Sequence, residues 1–125
     1  MKAVTGFRPV AINVGVRDLE EAIRFYEVVF GAPLEVSPSR DHARWVFGEG
    51  DSMFLFNLRR RGDSDPHRDH ASAFGFTVPD LDAAHARAVA AGAVEHFTPM
   101  EEPGKPRHSR FEDPSGNRVV LWEEA

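Results

Sequence analysis

Not one of the 125 residues is cysteine, which excludes disulfides, thiolate metal sites and thiol nucleophiles at the outset. Tyrosine occurs once and tryptophan twice, so most of the aromatic area belongs to phenylalanine, which fills cores without needing a polar partner. No apolar run reaches the roughly 20 residues of a membrane span, and the N-terminus has no signal-peptide-like apolar stretch. A cytoplasmic protein with no membrane partner is the expectation. Basic charge is also short: 15 Lys and Arg stand against 20 Asp and Glu, a formal charge of −5. That balance argues against a nucleic-acid partner, which needs a basic face, and suits a cationic small ligand. The one basic run, Arg59-Arg60-Arg61, is followed at once by Asp63 and Asp65 and reads as a solvated strand end. Neither a nucleophile-elbow sequence nor a glycine-rich phosphate loop occurs.

What the chain does have is an internal repeat. Val14-Gly15-Val16-Arg17-Asp18-Leu19-Glu20-Glu21-Ala22 recurs as Phe76-Thr77-Val78-Pro79-Asp80-Leu81-Asp82-Ala83-Ala84. Each copy is an alternating apolar run, an Asp-Leu step, and a helical stretch ending in Gly-Ala at 31–32 and 92–93. A repeat of this kind points to two similar modules in one chain. The length fits one domain over 1–125, with module one over about 7–60, a polar linker over about 61–70 and module two over about 71–125.

Alternation predicts a first strand over 10–16, with Val10, Ile12, Val14 and Val16 on one face and Ala11, Asn13 and Gly15 on the other. Asp18 is an N-cap with Glu21 as its capping-box partner, and Gly31 with Pro33 ends the helix. Strands follow over 34–37, 43–47 and 52–58, the last two joined by a turn at Gly48-Glu49-Gly50-Asp51. The second module repeats the order. A strand over 72–78 puts Phe74, Phe76 and Val78 opposite Ala73, Gly75 and Thr77, and Asp80 caps a helix to about 91. Strands over 94–98, 108–112 and 118–123 complete it, with a tight turn at Asp113-Pro114-Ser115-Gly116-Asn117. The small residues on one face of each opening strand predict an open concavity there and helices on the other side.

The run Asp18-Leu19-Glu20-Glu21-Ala22 followed by Arg24-Phe25-Tyr26 and Phe30-Gly31-Ala32, its echo from Val78 to Ala93, and the closing Phe111-Glu112-Asp113-Pro114-Ser115-Gly116-Asn117-Arg118-Val119-Val120-Leu121 resemble the glyoxalase/bleomycin-resistance/dioxygenase superfamily, also called the vicinal-oxygen-chelate fold. The resemblance implies an α+β fold of two βαβββ modules forming a cup-shaped mixed eight-stranded sheet with helices outside, and a homodimer. Enzymes of this family hold a divalent metal on four His or Glu side chains. The matching positions here are Ala11, Asn57, Ala73 and Val120, and two alanines, a valine and one amide do not make a divalent-metal site. No metal and no cofactor is therefore expected.

The cleft candidates are Asn13, Asn57, Thr77 and Arg118 for polar contacts, Trp45, Met53, Phe47 and Trp122 for apolar walls, and His108 with His42 near the mouth. His67-Arg68-Asp69-His70 has metal-like spacing but sits in the polar linker. His85 reads as exposed, and His96 lies on a strand of unassigned face. The leading expectation is a metal-free binder similar to the bleomycin-resistance members, sequestering a drug or metabolite without turnover. The alternatives are an enzyme with a non-standard site, using His42, His108 or Glu123 as base, and a non-catalytic regulatory or interaction domain.

Overall fold

The computed structural model describes residues 3–34, 36–39, 41–62 and 71–125. The histidine cluster at His67 and His70 and most of the expected linker lie outside them. The order of elements is β1 (Ala11–Val16), α1 (Leu19–Phe30), β2 (Val36–Ser39), β3 (His42–Phe47), a 3₁₀ turn (Gly50–Ser52) and β4 (Phe54–Arg60), then β5 (Ala73–Val78), α2 (Leu81–Ala90), β6 (Val94–Met100), β7 (His108–Glu112) and β8 (Arg118–Glu123). This is the α+β arrangement of two βαβββ units. Both N-caps form, while the reciprocal Glu21 side-chain bond expected of a capping box is absent among the described residues. Asp18 Oδ1 accepts from the Glu21 N–H at 3.1 Å and Asp80 Oδ1 from the Ala83 N–H at 3.1 Å. Gly31 closes α1 with φ of 65°, a left-handed conformation that side chains with a Cβ resist.

The strands form two four-stranded sheets, ordered β1-β4-β3-β2 and β5-β8-β7-β6. β1 runs parallel to β4 and β5 to β8, and the remaining pairs are antiparallel. The eight expected strands are thus divided between two sheets of four, with no ladder joining them among the described residues. The alternation is observed within β1 and β5, except that Val10 precedes β1 and is exposed. Val14 and Val16 are buried on the helix side of β1 while Ala11 and Asn13 are exposed, and on β5 Ala73, Gly75 and Thr77 are exposed.

One apolar core serves both units, drawing Val14, Phe25, Tyr26 and Phe56 from the first and Leu81, Ala88, Phe111 and Leu121 from the second. Phenylalanines stitch the units together: Phe56 meets Phe74 at 5.4 Å between ring centroids, and Phe30 meets Phe76 at 5.4 Å. Such pairs contribute roughly 0.5–1.5 kcal/mol each beyond their area. The helix-bearing faces of the two sheets therefore pack against each other. Each helix lies on the far side of its sheet from the small-residue face. Those two small-residue faces stay open to solvent in a single chain, so the expected cavity is not closed within it.

A polar hub locks this arrangement. Asp113, fully buried, accepts at Oδ1 from the Ser115 and Asn117 N–H groups, both at 2.9 Å. Its Oδ2 accepts from the Tyr26 hydroxyl at 2.8 Å and the Asn117 amide at 2.9 Å. Asn117 also donates to the Gly15 carbonyl at 3.0 Å and accepts from the Ser72 N–H at 2.8 Å. The Asp-Pro-Ser-Gly-Asn turn is therefore the clasp between the units, and its buried groups are paired as buried polar groups must be.

Candidate functional site

The two exposed small-residue faces carry most of the candidate residues, and their chemistry differs. On the first sheet, register places Asn13 beside Asn57 and Asn57 beside Arg44. Residues directly opposite on paired strands point to one face, so the three form a row across β1, β4 and β3. The row is hydrogen-bonded throughout. Arg44 Nε donates to Asn57 Oδ1 at 2.7 Å, and Asn57 Nδ2 donates to Asn13 Oδ1 at 3.2 Å. Asn57 is only 5% exposed beneath its neighbours. One step along the same face, Arg59 lies between Gly15 and His42. One step the other way, Leu55 lies between Ala11 and Val46, with Met53 preceding it at 40% exposure. The face is thus cationic at one end and apolar at the other.

Arg61 closes the cationic end. Its chain passes so near β1 that a Cβ on Gly15 would lie 3.0 Å from both Arg61 Cγ and Nε. A side chain at that position would have to displace the Arg61 side chain by a few tenths of an ångström. Arg61 donates to the Ser115 carbonyl and to Asn117 Oδ1, while its Nε is buried with no hydrogen-bond partner. Arg60 instead pairs with Asp41 at 2.9 Å. The three consecutive arginines are therefore not one solvated strand end: Arg59 lies on the small-residue face, Arg60 makes an ion pair and Arg61 is a half-buried brace. Asn13, Gly15, Arg59 and Arg61 border a cavity of about 440 Å³.

On the second sheet, Thr77, Trp122 and His108 form one row and Ala73, Arg118 and Glu112 another, with Gly75, Val120 and Arg110 between them. Trp122 stacks on His108 at 4.7 Å between ring centroids, tilted by 32°. Its indole Nε1 would lie 3.6 Å from a Cβ on Gly75. His108 has both nitrogens engaged, Nδ1 with the Pro106 carbonyl at 3.1 Å and Nε2 with Glu102 at 3.2 Å. A hydrogen bond from the Lys105 ammonium, then its charge and the neighbouring His108, hold the Glu102 carboxyl below its usual range. His96 accepts from Arg110 at Nδ1 and pairs through Nε2 with Glu112 at 3.0 Å, so neither of its nitrogens is open.

Several expectations are corrected. Trp45 is not on the open face: it stands opposite Phe56, 2% exposed, and donates its indole N–H to the Ala32 carbonyl at 3.2 Å. Phe47, on the same side, packs on Phe30 and Phe76 and borders an apolar cavity of about 320 Å³ between the units. His85 is buried rather than exposed, bridging Ser109 at 2.8 Å and Glu95 at 2.6 Å. Glu123 is no free base, because it caps α2 through the Leu81 N–H and pairs with Arg107. Of the three base candidates only His42 has no polar partner among the described residues.

The donor set does not fit a divalent metal. Ala11, Ala73 and Val120 offer no donor atom, and Asn57 Oδ1 is occupied by a guanidinium 2.7 Å away. A cation placed there would meet a fixed positive charge. Among the described residues no group of three or more His, Asp or Glu side chains converges. Arg44 is the residue that sequence reasoning missed. Its signal was alternation on β3 combined with the β3–β4 register, and the register is not visible in the sequence alone.

Comparison with known proteins follows this geometry. A sequence model of the Glyoxalase/Bleomycin resistance protein/Dioxygenase superfamily matches residues 8–121. No curated protein sequence matches the chain. Among solved structures, a glyoxalase/bleomycin resistance protein from Catenulispora acidiphila superposes with a TM-score of 0.72 at 23% identity, over 94% of this chain and 98% of that one. A superfamily member from Sphaerobacter thermophilus gives 0.72 at 21% identity over 97% and 100%. A glyoxalase-related enzyme from Fulvimarina pelagi gives 0.73 at 18% identity over 94% and 88%. At these identities the likeness is one of fold.

Proposed function

The chain belongs to the Glyoxalase/Bleomycin resistance protein/Dioxygenase superfamily, and from that premise we propose that it is a metal-independent small-molecule-binding protein. One observation carries this: Asn57, the only one of the four matching metal-ligand positions with a polar side chain, has its oxygen held by the Arg44 guanidinium at 2.7 Å and its amide nitrogen bonded to Asn13. The ligand is a drug or metabolite held by polar contacts to that row and by stacking on Trp122, with no bond made or broken. Both faces are open in one chain, which supports a homodimer in which the first face of one protomer meets the second face of its partner. Among the described residues His42 is the one unengaged base candidate, without the oriented partner that general-base catalysis uses.

A fluorescence screen of small molecules tests this reading. Trp45 is buried and Trp122 half-buried at the open face, so ligand-induced quenching should come from Trp122. Quenching should survive Trp45→Phe and disappear in Trp122→Phe. Saturable consumption of a bound compound that is lost in His42→Ala would instead make the protein an enzyme.

A further inference from the structure

We propose that the small-residue face of the first sheet is a receptor for an oxyanion, a carboxylate or phosphate group on a ligand with an apolar body. The inference rests on the metal-independent binding reading and names its ligand class. The protein's net charge points the other way, yet charge is not evenly spread. Arg44 and Arg59 are diagonal neighbours on β3 and β4, a relation that separates them by about 7–8 Å. One oxyanion placed between two long guanidinium side chains at that spacing reaches both.

Arg44 is pre-oriented. Its Nε is committed to Asn57 and Asn57 to Asn13, while neither Arg44 Nη group has a protein partner among the described residues. A guanidinium held by one edge, with its remaining N–H groups free, presents the fork that planar oxyanions accept. Arg59 is exposed and has no polar partner among the described residues. Side chains of this length normally give up rotamer freedom on binding, and the Asn57 anchor reduces that loss for Arg44. The acidic residue bordering the adjoining cavity, Asp41, is already paired with Arg60 at 2.9 Å.

The other end of the face sets the rest of the ligand. Ala11, Leu55 and Val46 form a continuous apolar row next to Asn13, Asn57 and Arg44. An anion bound at the arginines therefore lays an attached aromatic or aliphatic group over Leu55. A fully polar anion such as inorganic phosphate leaves that row uncovered and should bind more weakly than an aryl anion.

The test is a titration of the ¹⁵N-labelled full chain with benzoate, phenyl phosphate, inorganic phosphate and neutral benzyl alcohol, following the arginine Nε–Hε signals and the β3 and β4 amides. The expected result is saturable shifts of the Arg44 signal with benzoate or phenyl phosphate, at least tenfold tighter than with benzyl alcohol and weakened by added salt. Which of the two aryl anions binds tighter identifies the carboxylate or phosphate class. Arg44→Gln should weaken binding tenfold or more, Arg44→Lys should be intermediate, and exposed Arg59→Gln should weaken it several-fold with unchanged melting temperature. The proposal is overturned if no anion shifts these signals at millimolar concentration, if benzyl alcohol binds equally well, or if Arg59→Gln alters the oligomeric state and not the affinity. Failure here with Trp122 quenching by neutral ligands would leave the binding reading intact, whereas a tightly retained metal ion would remove both.

Discussion

Tyr26 and Asp113 show how much of this molecule rests on single atoms. Burial first, then the Asp113 charge and its hydrogen bond, push the Tyr26 phenol well above its ordinary value of 10.0. The folded state thus keeps a proton that the unfolded chain releases sooner. This contribution is complete below pH 10 and is lost as pH rises above it. Tyr26→Phe should lower stability at neutral pH by about 1–3 kcal/mol, since a buried carboxylate oxygen loses a donor. It should also flatten the decline above pH 10, and denaturant melts across that range measure both. Asn117→Ala should cost about 2–4 kcal/mol, because it strips partners from the Ser72 N–H, the Gly15 carbonyl and Asp113 together. At this scale the sequence was partly legible. The Asp-Pro-Ser-Gly-Asn turn was readable as a turn, but its role as an interunit clasp needed Tyr26 to be brought to it from α1. Arg44 was unreadable because its importance comes from a neighbour 13 residues away in sequence across the β3–β4 pair.

At the scale of elements, local chemistry predicted most of what formed. Alternation on β1 and β5 gave the right faces because small and large residues separate cleanly there. Asp18, Asp80 and Gly31 marked helix ends through hydrogen bonds and a backbone conformation that are local by nature. β3 misled, since His42, Arg44 and Val46 alternate with Ala43, Trp45 and Phe47 without a clear polar side, and Trp45 went to the core. On α2 the buried set Leu81, Ala84, His85 and Ala88 follows helical spacing. Alanine-rich faces blur that signal, and His85 passed for a surface residue. The second face rests on a close approach at Gly75, where a Cβ would sit 3.0 Å from the Val120 carbonyl and near the Trp122 indole. Gly75→Val should displace Trp122, reduce ligand quenching and leave the far-UV circular dichroism unchanged. Retained quenching would show that Trp122 does not need that floor.

At the scale of the whole molecule, the internal repeat foretold two equivalent units, but not which faces they would turn to each other. Phenylalanine contacts and the Asp113 clasp turn the helix-bearing faces inward and leave two unlike faces outward, one cationic and one bearing Trp122 and His108. Light scattering on the purified protein should therefore report a dimer, with the monomer as the contrary result. The central claim is that three of the four matching metal-ligand positions lack a donor side chain and the fourth, Asn57, is tied to the Arg44 guanidinium and the Asn13 amide. The most direct measurement is metal stoichiometry after loading with nickel, manganese, iron(II) or zinc and exhaustive dialysis. The account predicts no retained ion in the protein and none in Arg44→Gln. One tightly held ion per chain, lost on replacing Asn57, would contradict it.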